Sequence, residues 1–234
     1  ETDPTKKFDI KKRISRFKNL QLSKKVCLNS LYGAMGTPYF RFFDLRIAIG
    51  VTTGGQFSIQ WIQNKVNLYM NRILKTTDVD YVIASDTDSI YLSLDRLVKE
   101  SLGETYSAKS TRDRIRFMDR ICKDKIQPYI DKSYQDLAAY VNAYSQKMIM
   151  KREALADRAI WTAKKRYILN VWDNEGVEYA EPEIKVMGLE VKKSSTTKAC
   201  RTKLNEAIKL ILSGTEADII GFIKDFREEF KTLP

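Results

Sequence analysis

The sequence predicts an α+β fold, with helices and strands gathered into blocks. Three observations carry this. Stretches with apolar residues at helical spacing occupy the first third and the last fifth of the chain. Two short β-type runs flank the polar connection Asp86-Thr87-Asp88-Ser89. A second pair of β-type runs flanks Asp173-Asn174-Glu175-Gly176. Strict alternation of strand and helix would instead predict a doubly wound parallel sheet.

Taken in order, residues 1–7 read as a frayed end. From Phe8 to Leu31 the pattern is helical, with Ile10, Ile14 and Phe17 four and three apart and basic residues between them. Gly33, Gly36 and Pro38 are expected to break that helix. Residues 45–74 form a second helical stretch, with Gly54 and Gly55 as an irregularity. Tyr81–Ser85 and Ile90–Leu94 are apolar runs around a short polar connection, which predicts a hairpin. Residues 111–145 are helical in composition, divided or kinked at Pro128. Met148–Ala154 is a candidate strand. Tyr167–Trp172 and Val177–Tyr179 predict a second hairpin. Helices are expected near 197–212 and 215–231, separated by Ser213-Gly214. No internal repeat or low-complexity segment occurs.

The chain holds no histidine. His-based zinc sites, Ser-His triads and imidazole acid–base catalysis are thereby removed. Any metal chemistry must use carboxylates, which suit hard ions such as Mg2+. Cys27, Cys122 and Cys200 are odd in number and widely spaced. They fit a reducing compartment better than a disulfide framework or a zinc site. The sequence has no run of about 18 uninterrupted apolar residues and no apolar signal-peptide core at its start, so no membrane partner is expected. Net charge is +11, and between Thr5 and Lys25 nine Lys or Arg stand against one Asp. Such a segment faces a polyanion or is a solvated basic helix face.

The sharpest chemical feature is the carboxylate pair Asp86 and Asp88. Residues i and i+2 of extended backbone point to the same side. Two carboxylates so placed repel one another unless a cation lies near them. Mg2+ is usually held by one or two protein carboxylates together with phosphate oxygens and water. Two such ions activate an attacking oxygen and stabilise a leaving pyrophosphate, so the chemistry indicated is nucleotidyl or phosphoryl transfer. An ordinary Asp-rich turn is the other reading of the same four residues.

At this point a family pattern becomes visible. Tyr81–Leu92, YVIASDTDSIYL, resembles motif C of the family B DNA polymerases. Lys25-Val-Cys-Leu-Asn29-Ser30-Leu31-Tyr32-Gly33 resembles their fingers motif, and Lys164-Lys165-Arg166-Tyr167 their KKRY motif. Arg152-Glu153-Ala154 is similar to the element bearing a third palm carboxylate. Lys185-Val-Met-Gly-Leu-Glu190 with Ser194-Ser-Thr196 is similar to the passage from palm to thumb. Order and rough spacing match the T-even phage branch from about residue 20 onwards.

The resemblance implies a polymerase palm whose antiparallel sheet carries the Asp-Thr-Asp-Ser hairpin, flanked by a helical fingers part and the start of a helical thumb. It implies fingers over 1–36, palm over 37–186 and thumb over 187–234. Lys25, Asn29, Tyr32 and Gly33 would bind the incoming nucleotide; Lys25 and Asn29 share a helix face, one turn apart. Asp86 and Asp88 would hold Mg2+, Asp88 as the direct ligand and Asp86 directly or through water. Glu153 would be a third catalytic carboxylate, or else an ordinary exposed Glu on a strand. Lys164, Lys165, Arg166 and Tyr167 would grip primer-template DNA, Lys165 in the minor groove, whose acceptors occur in every base pair. Deoxynucleoside triphosphates are the implied substrates, and a phage origin implies the host cytoplasm.

The sequence also departs from the family. Motif A, an aspartate followed by Ser-Leu-Tyr-Pro-Ser, does not occur, nor do the first half of the fingers and an exonuclease domain. The segment between Glu153 and Lys164 is short and lacks a glycine-rich loop. The expectation is a part of a polymerase, inactive alone and completed by an N-terminal half carrying motif A. A non-catalytic nucleic-acid-binding module is the alternative.

Overall fold

The computed structural model describes residues 3–232. The architecture is α+β: seven α-helices and two antiparallel sheets of two and three strands among the described residues. The chain divides into two compact units between Gln60 and Trp61.

The first unit contains helix α1 (Pro4–Met35) and the beginning of helix α2 (Leu45–Ile73). Asp3 caps α1 by accepting from the Thr5 N–H at 3.0 Å, with Pro4 in the first turn. The expected frayed end is therefore helical from Pro4, while Glu1 and Thr2 lie outside the described residues. Gly33 does not break the helix. The turn comes at Gly36, because a single Gly in a helix costs only about 1 kcal/mol. No residue of α1 is buried. Asp44 starts α2, accepting from the Arg46 N–H at 2.9 Å and from its guanidinium at 2.7 Å. Gly54 and Gly55 leave α2 uninterrupted.

The second unit is built on the end of α2. Ile62, Val66 and Met70, four apart, are fully buried on one stripe. They pack with strands β1 (Val82–Asp86) and β2 (Ser89–Leu92) and helices α3 (Asp95–Leu102), α4 (Thr111–Ile121) and α5 (Gln127–Tyr140). A π-helical stretch, Cys122–Ile126, joins α4 to α5 just before Pro128. The expected break at Pro128 is thus absorbed by widening the helix one turn upstream.

The candidate strand at Met148–Ala154 is not formed. The strand begins at Ala154 and forms β3 (Ala154–Ala163), followed by β4 (Arg166–Asn174) and β5 (Val177–Met187) in the order β3-β4-β5. Side-chain demands outrank strand propensity upstream of β3. Arg152 pairs with Asp119 at 2.6 Å and with the buried Asp173, and Gln127 donates to the Met150 carbonyl at 2.6 Å. The β4–β5 turn, Glu175-Gly176, has φ of 52° and 89°. Positive φ at both positions matches the right-handed twist of a two-residue hairpin.

Alternation along β4 gives the sheet two working faces. Ile168 joins Val186, Val191, Ile208 and Leu212 under helix α6 (Lys198–Ser213), which is followed by helix α7 (Glu216–Thr232). Tyr167, Leu169 and Val171 point the other way and pack with Tyr91 and Trp161. That second face is where the hairpin lies.

Candidate active site at the hairpin tip

Two asparagines of α2 hold the hairpin in place. Asn67 Oδ1 accepts from the N–H groups of Tyr81 and Val82 at 2.9 and 3.2 Å, and its amide donates to Asp80 at 2.7 Å. Asn71, one turn on, accepts from the Val79 N–H at 3.1 Å and donates to the Val79 carbonyl at 2.7 Å. Sequence reading missed both. Their signal was present: two Asn four apart inside an apolar helical stretch, where Asn is unfavourable unless it bonds elsewhere.

At the far end, Asp86 pairs with Ser89 across the ladder, leaving Thr87-Asp88 as the turn. Asp88 therefore lies beyond the extended backbone on which the same-side spacing rule rests. Asp86 Oδ1 accepts from the Thr87 N–H at 2.8 Å and from its hydroxyl at 3.1 Å, and lies 3.6 Å from Lys165 Nζ. The Thr87 N–H holds the Asp86 carboxyl below the usual carboxylate range, helped by the Thr87 hydroxyl and Lys165 against a partial desolvation. All three contacts converge on Oδ1, and Oδ2 is unengaged among the described residues. Asp88 is exposed and makes no hydrogen bond or ion pair among the described residues.

Glu153 and Asp88 both line a cleft of about 630 Å³ beside the hairpin. Glu153 Oε1 accepts from Lys185 Nζ at 2.6 Å; Lys185 stands on β5 opposite Leu169. No group of three His, Cys, Asp or Glu that could hold a metal occurs among the described residues. The donor set nevertheless suits a hard cation: one free carboxylate, one free carboxylate oxygen, and access to solvent.

The basic run is split in its roles. Lys164 and Lys165 form the β3–β4 turn and are exposed. Arg166 donates to Glu190 Oε1 at 2.6 Å and to the Gly188 carbonyl at 3.2 Å. Tyr167 is buried, its ring 5.3 Å from that of Tyr91 and 6.4 Å from that of Trp161. Burial, then the Tyr167 hydroxyl, pushes the Tyr91 phenol well above its ordinary value. This aromatic cluster fastens the hairpin to the three-stranded sheet. Lys165 thereby comes next to Asp86, a juxtaposition of two motifs that are 79 positions apart (165 − 86).

In the first unit, Lys25 and Asn29 are exposed on α1. The Tyr32 hydroxyl lies 2.8 Å from Thr52 Oγ1. Gly33 is exposed, with nothing within 4 Å of where a Cβ would stand.

Residues 6–110 match the family model described as DNA polymerase family B. The match includes Lys25, Asn29, Tyr32, Gly33, Asp86 and Asp88 and ends before Glu153. The chain is 40% identical to the DNA-directed DNA polymerase of Enterobacteria phage T4 over 221 residues, which is 91% of this chain and 24% of that protein. It is 42% identical to the DNA-directed DNA polymerase of Escherichia phage RB69 over 204 residues, 84% of this chain and 22% of that protein. The chain is similar to the family B DNA polymerases, of the T-even phage type. A more distant similarity, 26% over 188 residues, links the chain to an African swine fever virus protein named DNA polymerase beta, covering 78% of the chain and 14% of that protein. The chain spans about a quarter of the length of the phage relatives it matches. No helix among its described residues is long and apolar enough to cross a membrane.

Proposed function

We propose that the chain forms part of the polymerising core of a DNA-directed DNA polymerase that adds deoxynucleotides to a primer 3′ end under template direction. The observation that carries this reading is the hairpin tip. Among the described residues Asp88 is unengaged and Asp86 keeps one free oxygen, on a hairpin anchored by Asn67, Asn71 and the Tyr91–Trp161–Tyr167 cluster. Asp86 and Asp88 would hold Mg2+, which when bound activates the attacking primer oxygen and stabilises the leaving pyrophosphate. Glu153 stands at the same cleft, its Oε1 accepting from Lys185.

The other roles follow the motifs. Residues 1–36 are the proposed fingers part, 37–186 the palm and 187–234 the start of the thumb, with residues 233 and 234 outside the described residues. Lys25 and Asn29, one turn apart, meet the triphosphate, and Tyr32 and Gly33 flank the nascent base pair. Lys164 and Lys165 meet the primer-template. Arg166 and Tyr167 serve that surface from behind, one tied to Glu190 and the other buried. A polypeptide bearing the family's motif A aspartate is the proposed partner, since the described residues gather no third acidic ligand beside Asp86 and Asp88.

Primer extension with Mg2+ and four deoxynucleotides tests this, using the chain alone and then mixed with a motif A polypeptide. Extension only in the mixture, abolished by Asp88→Ala, is the expected result. Extension by the chain alone would overturn the need for a partner. One observation favours the non-catalytic reading, the exposed and strongly basic α1. Silence in a mixture that forms a complex would select that reading.

A further inference from the structure

We infer that Gly188 is a positioning residue for Lys165, acting through the β3–β4 turn; this rests on the proposal that Lys165 meets DNA. Lys165 adopts φ of +62°, an uncommon conformation for a residue with a side chain. Gly188 adopts φ of +68°, and a Cβ there would stand 2.2 Å from the Lys165 carbonyl oxygen and 3.1 Å from Arg166 Cγ. The Lys165 peptide therefore rests directly on the Gly188 backbone, an approach that only Gly permits. Arg166 closes the arrangement. Its Nε donates to the Gly188 carbonyl at 3.2 Å and its Nη2 to Glu190 at 2.6 Å, and Glu190 also accepts from Lys193 at 2.9 Å.

The consequence reaches the other sheet. Lys165 Nζ lies 3.6 Å from Asp86. The Lys165 side chain is exposed and that of Asp86 half-buried, and a solvent-accessible pair 3.6 Å apart contributes little to stability. The ion pair does not hold the turn; the turn holds the ammonium. Any side chain at 188 must push the Lys165 carbonyl away and swing the ammonium off the hairpin tip. In the same geometry Arg166, engaged on two sides, acts through the turn and not by touching DNA.

A double-mutant cycle on the full chain separates these roles, read as primer-template affinity by fluorescence anisotropy across a salt series. Lys165→Met is expected to weaken binding at least about fivefold and to reduce the salt slope by about one. Gly188→Ala is expected to do the same, and the double variant G188A/K165M to lose no more than either alone. Wild-type affinity in a folded Gly188→Ala protein, or losses that multiply, would overturn the inference. If Gly188→Ala does not fold, the cycle of Arg166→Leu with Lys165→Met decides: non-additive losses support positioning through the turn, and additive losses make Arg166 a DNA contact of its own. A silent Lys165→Met in a chain that binds DNA would remove Lys165 from the interface, and absence of binding would remove the DNA reading itself; either outcome takes this inference with it.

Discussion

Helix α1 and strand β4 carry family motifs of similar clarity on opposite physical footings. None of the 32 residues of α1 is buried. In β4, Tyr167, Ile168, Leu169, Val171 and Asp173 all are. On α1 the sequence sets only the spacing: Lys25 and Asn29 share a face because a helix turns every 3.6 residues. On β4 neighbours decide what each residue does. Arg166 and Tyr167 are basic and aromatic members of one motif, yet one is tied to Glu190 and the other is sealed against Tyr91. A motif on an uncovered helix reports spacing. A motif on a covered strand reports roles, and some of them are structural.

The sharpest way to break this contrast is at the buried charges of the second unit. Arg152→Ala leaves the buried Asp173 without its ion-pair partner and Asp119 with Lys123 alone, and should cost about 3–5 kcal/mol, read as a lower urea midpoint. Ile62→Ala opens a cavity where the side chain is fully buried and should cost about 2–5 kcal/mol by the same assay. Asn67→Ala leaves the Tyr81 N–H without its acceptor and the Val82 N–H with Asp80 alone. A loss of about 1–3 kcal/mol is expected, with faster hydrogen exchange at the Tyr81 amide than elsewhere in the core.

Acid should then sharpen the difference. Lys193 first, then a backbone hydrogen bond and Arg166, hold the Glu190 carboxyl at about 2, down from its ordinary 4.5. A depressed folded-state value contributes stability that is present above about pH 4.5 and is lost as the pH falls from there towards about 2. Urea midpoints of wild type and Glu190→Gln should converge over that window and differ above it. The smallest effect belongs to α1. Ile14→Ala, at an exposed position, should stay within about 0.5 kcal/mol, and a loss comparable to Ile62→Ala would show that α1 is covered in solution.

Helix and strand positions were mostly legible because local periodicity sets them: α1, α2, α6, α7 and both hairpins lie near their expected ranges. The strand expected at Met148–Ala154 failed because that segment is committed to side-chain contacts of Gln127 and Arg152, which periodicity does not record. The carboxylate pair and the basic run were legible as motifs. Their juxtaposition, and the parts of Asn67, Lys185 and Gly188, were not, since each depends on residues distant in sequence.

By itself the sequence determined the family resemblance, the α+β class and which residues carry charge, because these follow from residue type and short-range spacing. Only the tertiary structure decided which of those residues are free. Among the described residues Asp88 is unengaged, Lys165 reaches Asp86, Arg166 is tied and Tyr167 is buried. The reason is physical: availability depends on what packs within a few ångströms, and those neighbours come from strands and helices far apart along the chain.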